Sequence, residues 1–301
     1  MDHLTPETHR RQLGEFRAGG FFMGCVMGVC IFCGANGKLT REHIWADWLK
    51  KYIPKDMPDY QAGEIVRGRD GEVLRERGRR VGGDPRSRRV ECVCGSITHR
   101  RTPDRKGCND GWMSDIQAAV KPTVIPMIEG KSVLLRREQQ RTFAAWVAMA
   151  AMCSEQGDKD WVSIREKDRT WLYKKKVPPQ NNWKIWIGRY RRGKWRPHWV
   201  HHTLRIVKRE RGEIPFLGKQ FFNTQSTTYT VGELLIHAIS SSWPPCVSRF
   251  HFRNADDLLL MVWPPRSSVL MWPPPAILSD QQGHEVATSF FETLQRAGRG
   301  P

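Results

Sequence analysis

The placement of cysteine constrains this chain more than any other feature. Eight cysteines occur in 301 residues, and six of them, Cys25, Cys30, Cys33, Cys92, Cys94 and Cys108, fall within the first 108. Such clustering around a C-x-x-C step favours a metal site over a disulfide framework. Two thiolates on one tight turn can share a tetrahedral ion, and Cys30-x-x-Cys33 has the form of one half of a zinc knuckle. The other half is expected where the chain returns, among Cys92, Cys94 and Cys108. Cys25, Cys153 and Cys246 read as core thiols.

Charge narrows the partners. Forty-nine Lys and Arg stand against 31 Asp and Glu, a net charge of +18, which points to a polyanion: nucleic acid first, an anionic membrane second. With 39% apolar residues and 13 Trp, disorder over the whole length is excluded. The longest apolar run, Phe21 to Phe32, is broken by Gly24 and Gly28 and falls short of the ~20 residues that a spanning helix needs. A secretory signal built on it would end within CIFC and discard its cysteines, so a cytoplasmic protein is expected.

The chain divides by composition. Residues 1–28 read as a loose leader, 29–119 as a cysteine-bearing unit and 120–301 as an α+β accessory unit. In the first unit, Ile44, Trp48, Leu49 and Tyr52 recur at helical intervals up to Pro54. From Arg67 to Lys106, thirteen basic residues against six acidic ones, interspersed with Gly, read as a mobile connection or a pair of hairpins. Gly111 precedes a helix bearing Trp112 and Ile116. In the second unit, Phe143, Trp146, Val147, Ala150 and Ala151 give a buried-helix pattern over Glu138–Glu155. WKIWIGRY, HHTLRIVKR and LLLMVWPP read as strands, and Val231–Ile239 and Gln281–Leu294 as helices. No internal repeat is visible.

Glu42-His43 stands at the end of a strand just before a helix, where a carboxylate and an imidazole supply a ligand for a hard cation and a general base. Set between Cys30/Cys33 and the CNDGWMS phrase, the series CIFCG, LTREHIWADWL and CNDGWMSDIQ resembles the bacterial HNH endonuclease family over residues 29–119. More loosely, the later WVAMAAM and WPPPAILSD phrases resemble C-terminal regions that accompany this subgroup. The resemblance implies an α+β fold: a zinc-framed treble clef holding a ββα-metal HNH finger, followed by the mixed α+β accessory domain. It further implies His43 as general base, Glu42 and Asn109 as ligands of a catalytic Mg²⁺ or Mn²⁺, and hydrolysis of DNA leaving 5′-phosphate and 3′-hydroxyl ends.

Two departures from the family pattern stand out. The second C-x-x-C is split, since position 105 is Arg105. Reading Val93-Cys94-Gly95-Ser96 as the knuckle turn and about Ile97–Gly107 as an insertion gives Cys30, Cys33, Cys94 and Cys108 as the structural zinc set, with Cys92 as the substitute for Cys94. The family's middle Asn, which orients the histidine, has no counterpart, because no Asn occurs between Ile44 and Cys108. A backbone carbonyl or another side chain must hold His43, or the site is crippled.

Asn109 has a second reading, as the cap of the following helix. Residues 183–212 hold ten Lys and Arg and one acid, interleaved with Trp183, Trp186, Tyr190, Trp195 and Trp199. Arg189, Arg191, Arg192, Lys194 and Arg196 there are candidates for phosphate contact, with a solvated turn as the alternative. Arg41, Arg67, Arg69, Arg79, Arg80, Arg88 and Arg89 form the other candidate set, in a DNA clamp or a plain loop. Such contacts give affinity that falls with salt and carry little sequence information. Double-stranded DNA is the expected substrate, with RNA as a further possibility. The rivals are a zinc-stabilised nucleic-acid-binding protein without catalysis and a structural protein that uses zinc only for folding.

Overall fold

A computed structural model describes residues 27–54, 60–67, 73–81, 85–99, 102–157, 159–191, 199–204, 222–252 and 255–297. The chain is a mixed α+β protein. Strands β1 (Met27–Val29), β2 (Asn36–His43), β3 (Tyr60–Arg67), β4 (Val73–Val81), β5 (Arg89–Cys94), β6 (Ile97–His99) and β7 (Thr102–Arg105) precede helix α1 (Ser114–Ile128). Then come β8 (Val133–Arg136), α2 (Arg137–Ser154), α3 (Glu166–Lys175), β9 (Trp183–Tyr190), β10 (Trp199–Leu204), β11 (Thr224–Val231) and β12 (Leu234–Ser241). Helix α4 (Pro244–Arg249), β13 (Leu259–Trp263), β14 (Val269–Trp272), β15 (Ile277–Leu278) and α5 (Asp280–Ala297) complete it.

The N-terminal part is a three-stranded sheet ordered β1-β2-β5, with the antiparallel hairpin β3–β4 between β2 and β5 and the hairpin β6–β7 after β5. The Arg-rich stretch is therefore a pair of hairpins, and the insertion expected at 97–107 is the second of them. A strand begins at Met27, inside the segment read as leader; the leader before it, with Cys25, lies outside the described residues. The expected helix over Ile44–Tyr52 shrinks to one turn at Asp47–Leu49. Its apolar side chains do point inward, since Ile44, Trp45, Leu49 and Ile53 are buried, but an irregular chain achieves this.

The second part is built on a sheet ordered β10-β11-β12-β9-β13, with β15 added in parallel to β9. Trp183, Ile185 and Ile187 of β9 join one core, around α2, while Trp186 and Tyr190 join another that includes Phe250 of the loop after α4 and Phe290 of α5. Period-two alternation sends neighbouring side chains to opposite faces, and here both faces are covered. This explains the one wrong element in this half. Val231–Ile239, expected as a helix, is the end of β11, a tight turn at Gly232 and Glu233, and most of β12. A strand apolar on both faces shows no alternation and reads like a buried helix. Gly232 supplies the turn with φ of +57°.

Helix α2, with eleven buried residues from Gln140 to Cys153, is the element that ties the two parts together. Gln139 Oε1 accepts the Arg136 N–H at 2.7 Å and closes its first turn. One continuous core runs from Cys30 and Phe32 through Val93, Met113 and Phe143 to Trp272. Helix α1 passes through position 120, so the compositional boundary falls inside a helix. No helix among the described residues is long and apolar enough to cross a membrane.

Candidate metal centre and adjacent histidine

The first knuckle follows from the turn after β1. Gly34 N–H donates to the Cys30 carbonyl at 3.0 Å and Cys30 N–H to the Ala35 carbonyl at 2.9 Å. Gly34 takes φ of +71°, which lets the chain reverse into β2 with both cysteines on the inside of the turn. The second knuckle is assembled across the β6–β7 hairpin. Gly107 lies so close to Cys94 and Gly95 that an added Cβ would sit 2.2 Å from the Gly95 carbonyl carbon. That contact delivers Cys108, whose N–H donates to Cys94 Sγ at 3.3 Å. Asp110 Oδ2 accepts the Ser96 N–H at 2.9 Å and fixes the same crossing.

The result is four sulfurs, of Cys30, Cys33, Cys94 and Cys108, all within 4.8 Å of one another. Cys33 and Cys94 Sγ are 3.6 Å apart, against roughly 3.8 Å between corners of a tetrahedron with Zn–S bonds of about 2.3 Å. The cluster therefore fits a metal ion such as zinc. Cys92 is not part of it. It lies in β5 opposite the irregularity between Thr40 and Arg41, fully buried, with its thiol against that of Cys153. Without metal the cluster holds its charge unevenly. A hydrogen bond from Cys108 draws Cys30 down to about 4, burial pushes Cys94 up to about 11, and Cys108 is raised by donating to Cys30. Four thiolates together need a cation.

Residues beyond the ligands support the sulfurs. The Trp112 N–H meets no oxygen or nitrogen acceptor among the described residues and favours the thiolate form of Cys108. Phe32 packs edge-on against the Trp112 ring with centroids 5.0 Å apart, and Lys176 Nζ stands 4.3 Å over it.

Beside this frame, β2 presents Thr40 and Glu42 to the helix side and His43 to the other. Asn109 Nδ2 donates to Thr40 Oγ1 at 3.0 Å, and Gln117 Nε2 donates to Glu42 Oε1 at 3.3 Å. The hydrogen bonds thus join Glu42 to Gln117, and Asn109 to Thr40. Gln117 was not singled out from the sequence. No local pattern in the sequence marks it, since its role comes from the way α1 lies against β2. Glu42 is 7% exposed, and burial pushes its carboxyl up to about 7. It borders a cavity of about 20 Å³ shared with Gln117, Trp146, Met149 and Cys153, room for one water.

His43 pairs across the strands with Arg89. Arg89 Nε donates to His43 Nε2 at 2.8 Å, and Asp47 Oδ1, held by Lys50 at 2.5 Å, lies 3.7 Å from the same nitrogen. Burial lowers the His43 pKa, and the charges of Arg89 and Lys50 add to this.

The other basic candidates divide. Arg41 is exposed and pairs with Glu91 at 2.7 Å. Arg88 turns inward, with Nη2 3.5 Å from the Gly157 carbonyl, and Arg189 binds Glu233 at 2.6 Å. Arg191 is exposed at the end of β9. Arg67, Arg79 and Arg80 belong to the β3–β4 hairpin, whose side chains lie outside the description. Arg69, Arg192, Lys194 and Arg196 lie outside the described residues.

An acid–histidine–hydroxyl series also occurs in the second part. Glu155 Oε1 is 3.3 Å from His201 Nε2, and His201 Nδ1 is 2.7 Å from Thr227 Oγ1. Thr227 is fully buried and gives its proton to Gln225 Oε1 at 2.6 Å. Its oxygen is thus an acceptor from His201 and has no proton to yield to it, so the series is a structural network. Comparison with protein-family models, with curated proteins and with solved structures finds no match for this chain.

Proposed function

We propose that this chain is an HNH-type endonuclease, in which the four-cysteine cluster is a structural zinc site of treble-clef form. The observation that carries this reading is the order of parts around the cluster. A cysteine knuckle leads into β2, Glu42 and His43 end that strand, and the chain returns through β5 and Cys94 to Cys108 at the head of α1. The sulfurs hold the start of β2 and the end of β5 to the start of α1, while at the far end of β2 Glu42 meets Gln117 of α1 and His43 meets Arg89 of β5.

His43 is the base. Its lowered pKa keeps the ring neutral at pH 7, so a nitrogen can take the proton of the attacking water. Glu42, with Gln117 and Asn109 beside it on the same side of β2, would hold a divalent ion. Mg²⁺ or Mn²⁺ bound there supplies charge neutralisation at the phosphate and the leaving 3′ oxygen. Arg41 and Arg89 flank His43 and would bind phosphates of double-stranded DNA in this reading.

The second reading, a zinc-stabilised nucleic-acid-binding protein without catalysis, has two observations in its favour: Arg89 occupies His43 Nε2, and Glu42 is buried. The separating experiment is incubation of zinc-loaded protein with supercoiled plasmid, with and without added Mg²⁺ or Mn²⁺. Metal-dependent nicks that a ligase reseals, as 5′-phosphate and 3′-hydroxyl ends require, support the nuclease. Intact plasmid in a band shifted by bound protein supports the binding module.

A further inference from the structure

The sequence offers no Asn to hold His43, and the structure supplies a different partner from the neighbouring strand. Arg89 sits directly across from His43 and its Nε–H points at Nε2 at 2.8 Å. A guanidinium can only donate, so Nε2 must accept, and the neutral ring carries its proton on Nδ1. Asp47 does not compete for Nε2, being 3.7 Å away and engaged by Lys50. The nitrogen a base would use is thus occupied in the free protein, by an exposed side chain.

We propose that Arg89 is a removable cap on His43, which a phosphate of the nucleic-acid backbone draws off to itself, baring Nε2 at the moment substrate is in place. The proposal rests on the nuclease reading. The driving force is the difference in partners: a guanidinium makes one N–H bond to a neutral imidazole, but two parallel, charge-assisted bonds to a phosphate. Once Nε2 is bare, it takes the proton of the attacking water. The water oxygen's electron pair forms the new P–O bond, and the 3′ oxygen leaves with the pair of the broken one and gains a proton from solvent. Arg89 in this scheme both positions the ring and prevents it from acting as a base on solvent alone.

Two measurements without added Mg²⁺ test it, on the zinc-loaded wild type and on Arg89→Ala and Arg89→Gln. The first is the rate at which diethyl pyrocarbonate acylates His43 at pH 8, read by mass spectrometry of its peptide. Both variants should react several-fold faster. The second is affinity for a short DNA duplex across salt concentrations. Both variants should bind roughly tenfold more weakly, with the salt slope reduced by about one unit. Equal acylation rates would remove the cap, and an unchanged slope would remove the phosphate role. Should Arg89→Ala fail to retain zinc, Arg89→Gln carries both measurements. Plasmid cutting is read separately: its absence in the wild type sinks the nuclease reading without touching either result.

Discussion

Replacing Cys94 or Cys92 with Ser should have opposite consequences for metal, although the two lie in one strand two residues apart. Cys94 Sγ is 3.6 Å from Cys33 Sγ and accepts the Cys108 N–H, whereas Cys92 faces Cys153 in the core. Structural zinc in small sites is worth about 10–16 kcal/mol of apparent binding energy. One thiolate of four is then worth roughly 3 kcal/mol, which is about a hundredfold in affinity. Cys94→Ser should therefore weaken zinc about a hundredfold. Cys92→Ser should keep full zinc content and cost about 1–3 kcal/mol of stability, because a buried hydroxyl replaces a thiol packed against Cys153. Zinc stoichiometry by mass spectrometry, with affinity from competition against a chromogenic chelator, reads both variants. Normal affinity in Cys94→Ser, or zinc loss in Cys92→Ser, would refute the assignment of the four ligands.

Three other outcomes follow from the same geometry. Gly107→Ala should lower zinc occupancy and reduce stability by about 1–3 kcal/mol, because its Cβ meets backbone at 2.2 Å; Gly95→Ala should be milder, since its closest neighbour is a side chain, Thr40, which can clear it at the cost of the hydrogen bonds its hydroxyl makes with Val93 and Asn109. Thermal melts with zinc assays compare them. Trp112→Phe keeps a ring against Phe32 but removes the N–H offered to Cys108, and should weaken zinc about tenfold; an unchanged chelator competition curve would contradict it. His237 is fully buried with its Nδ1 2.7 Å from Thr228 Oγ1, and burial holds its pKa at about 3. The unfolded chain takes up that proton below about 6.5 and the folded chain does not, so stability is lost as pH falls, by about 2 kcal/mol from pH 7 to pH 5. The urea midpoint should drop over that interval in the wild type and drop less in His237→Gln.

The sequence made some of this legible and hid the rest for physical reasons. The cysteine cluster can be read because the C-x-x-C turn is local and the hairpin insertion leaves Cys94 and Cys108 near in sequence. Helix α2 and the strand at 183–190 can be read because their apolar residues follow one clear period or lie between Gly, Pro and Asn. The strand β12 cannot, since both of its faces are covered and alternation vanishes. The partner of His43 is equally hidden. Which residue faces it depends on the register between β2 and β5, which shifts between Thr40 and Arg41, and Arg89 stands forty-six positions from His43 along the chain. Gln117 escapes for a related reason: its meaning depends on how α1 lies under β2, not on its neighbours in the chain.

The nuclease account turns on His43. Wild type and His43→Ala, both zinc-loaded, should be run side by side on supercoiled plasmid with Mg²⁺ or Mn²⁺, with duplex binding measured on the same preparations. The account expects metal-dependent nicking or linearisation by the wild type, its loss in the variant, and equal DNA binding by both. Cutting that persists undiminished in His43→Ala, or a folded wild type that binds DNA and never cuts it, would contradict the account.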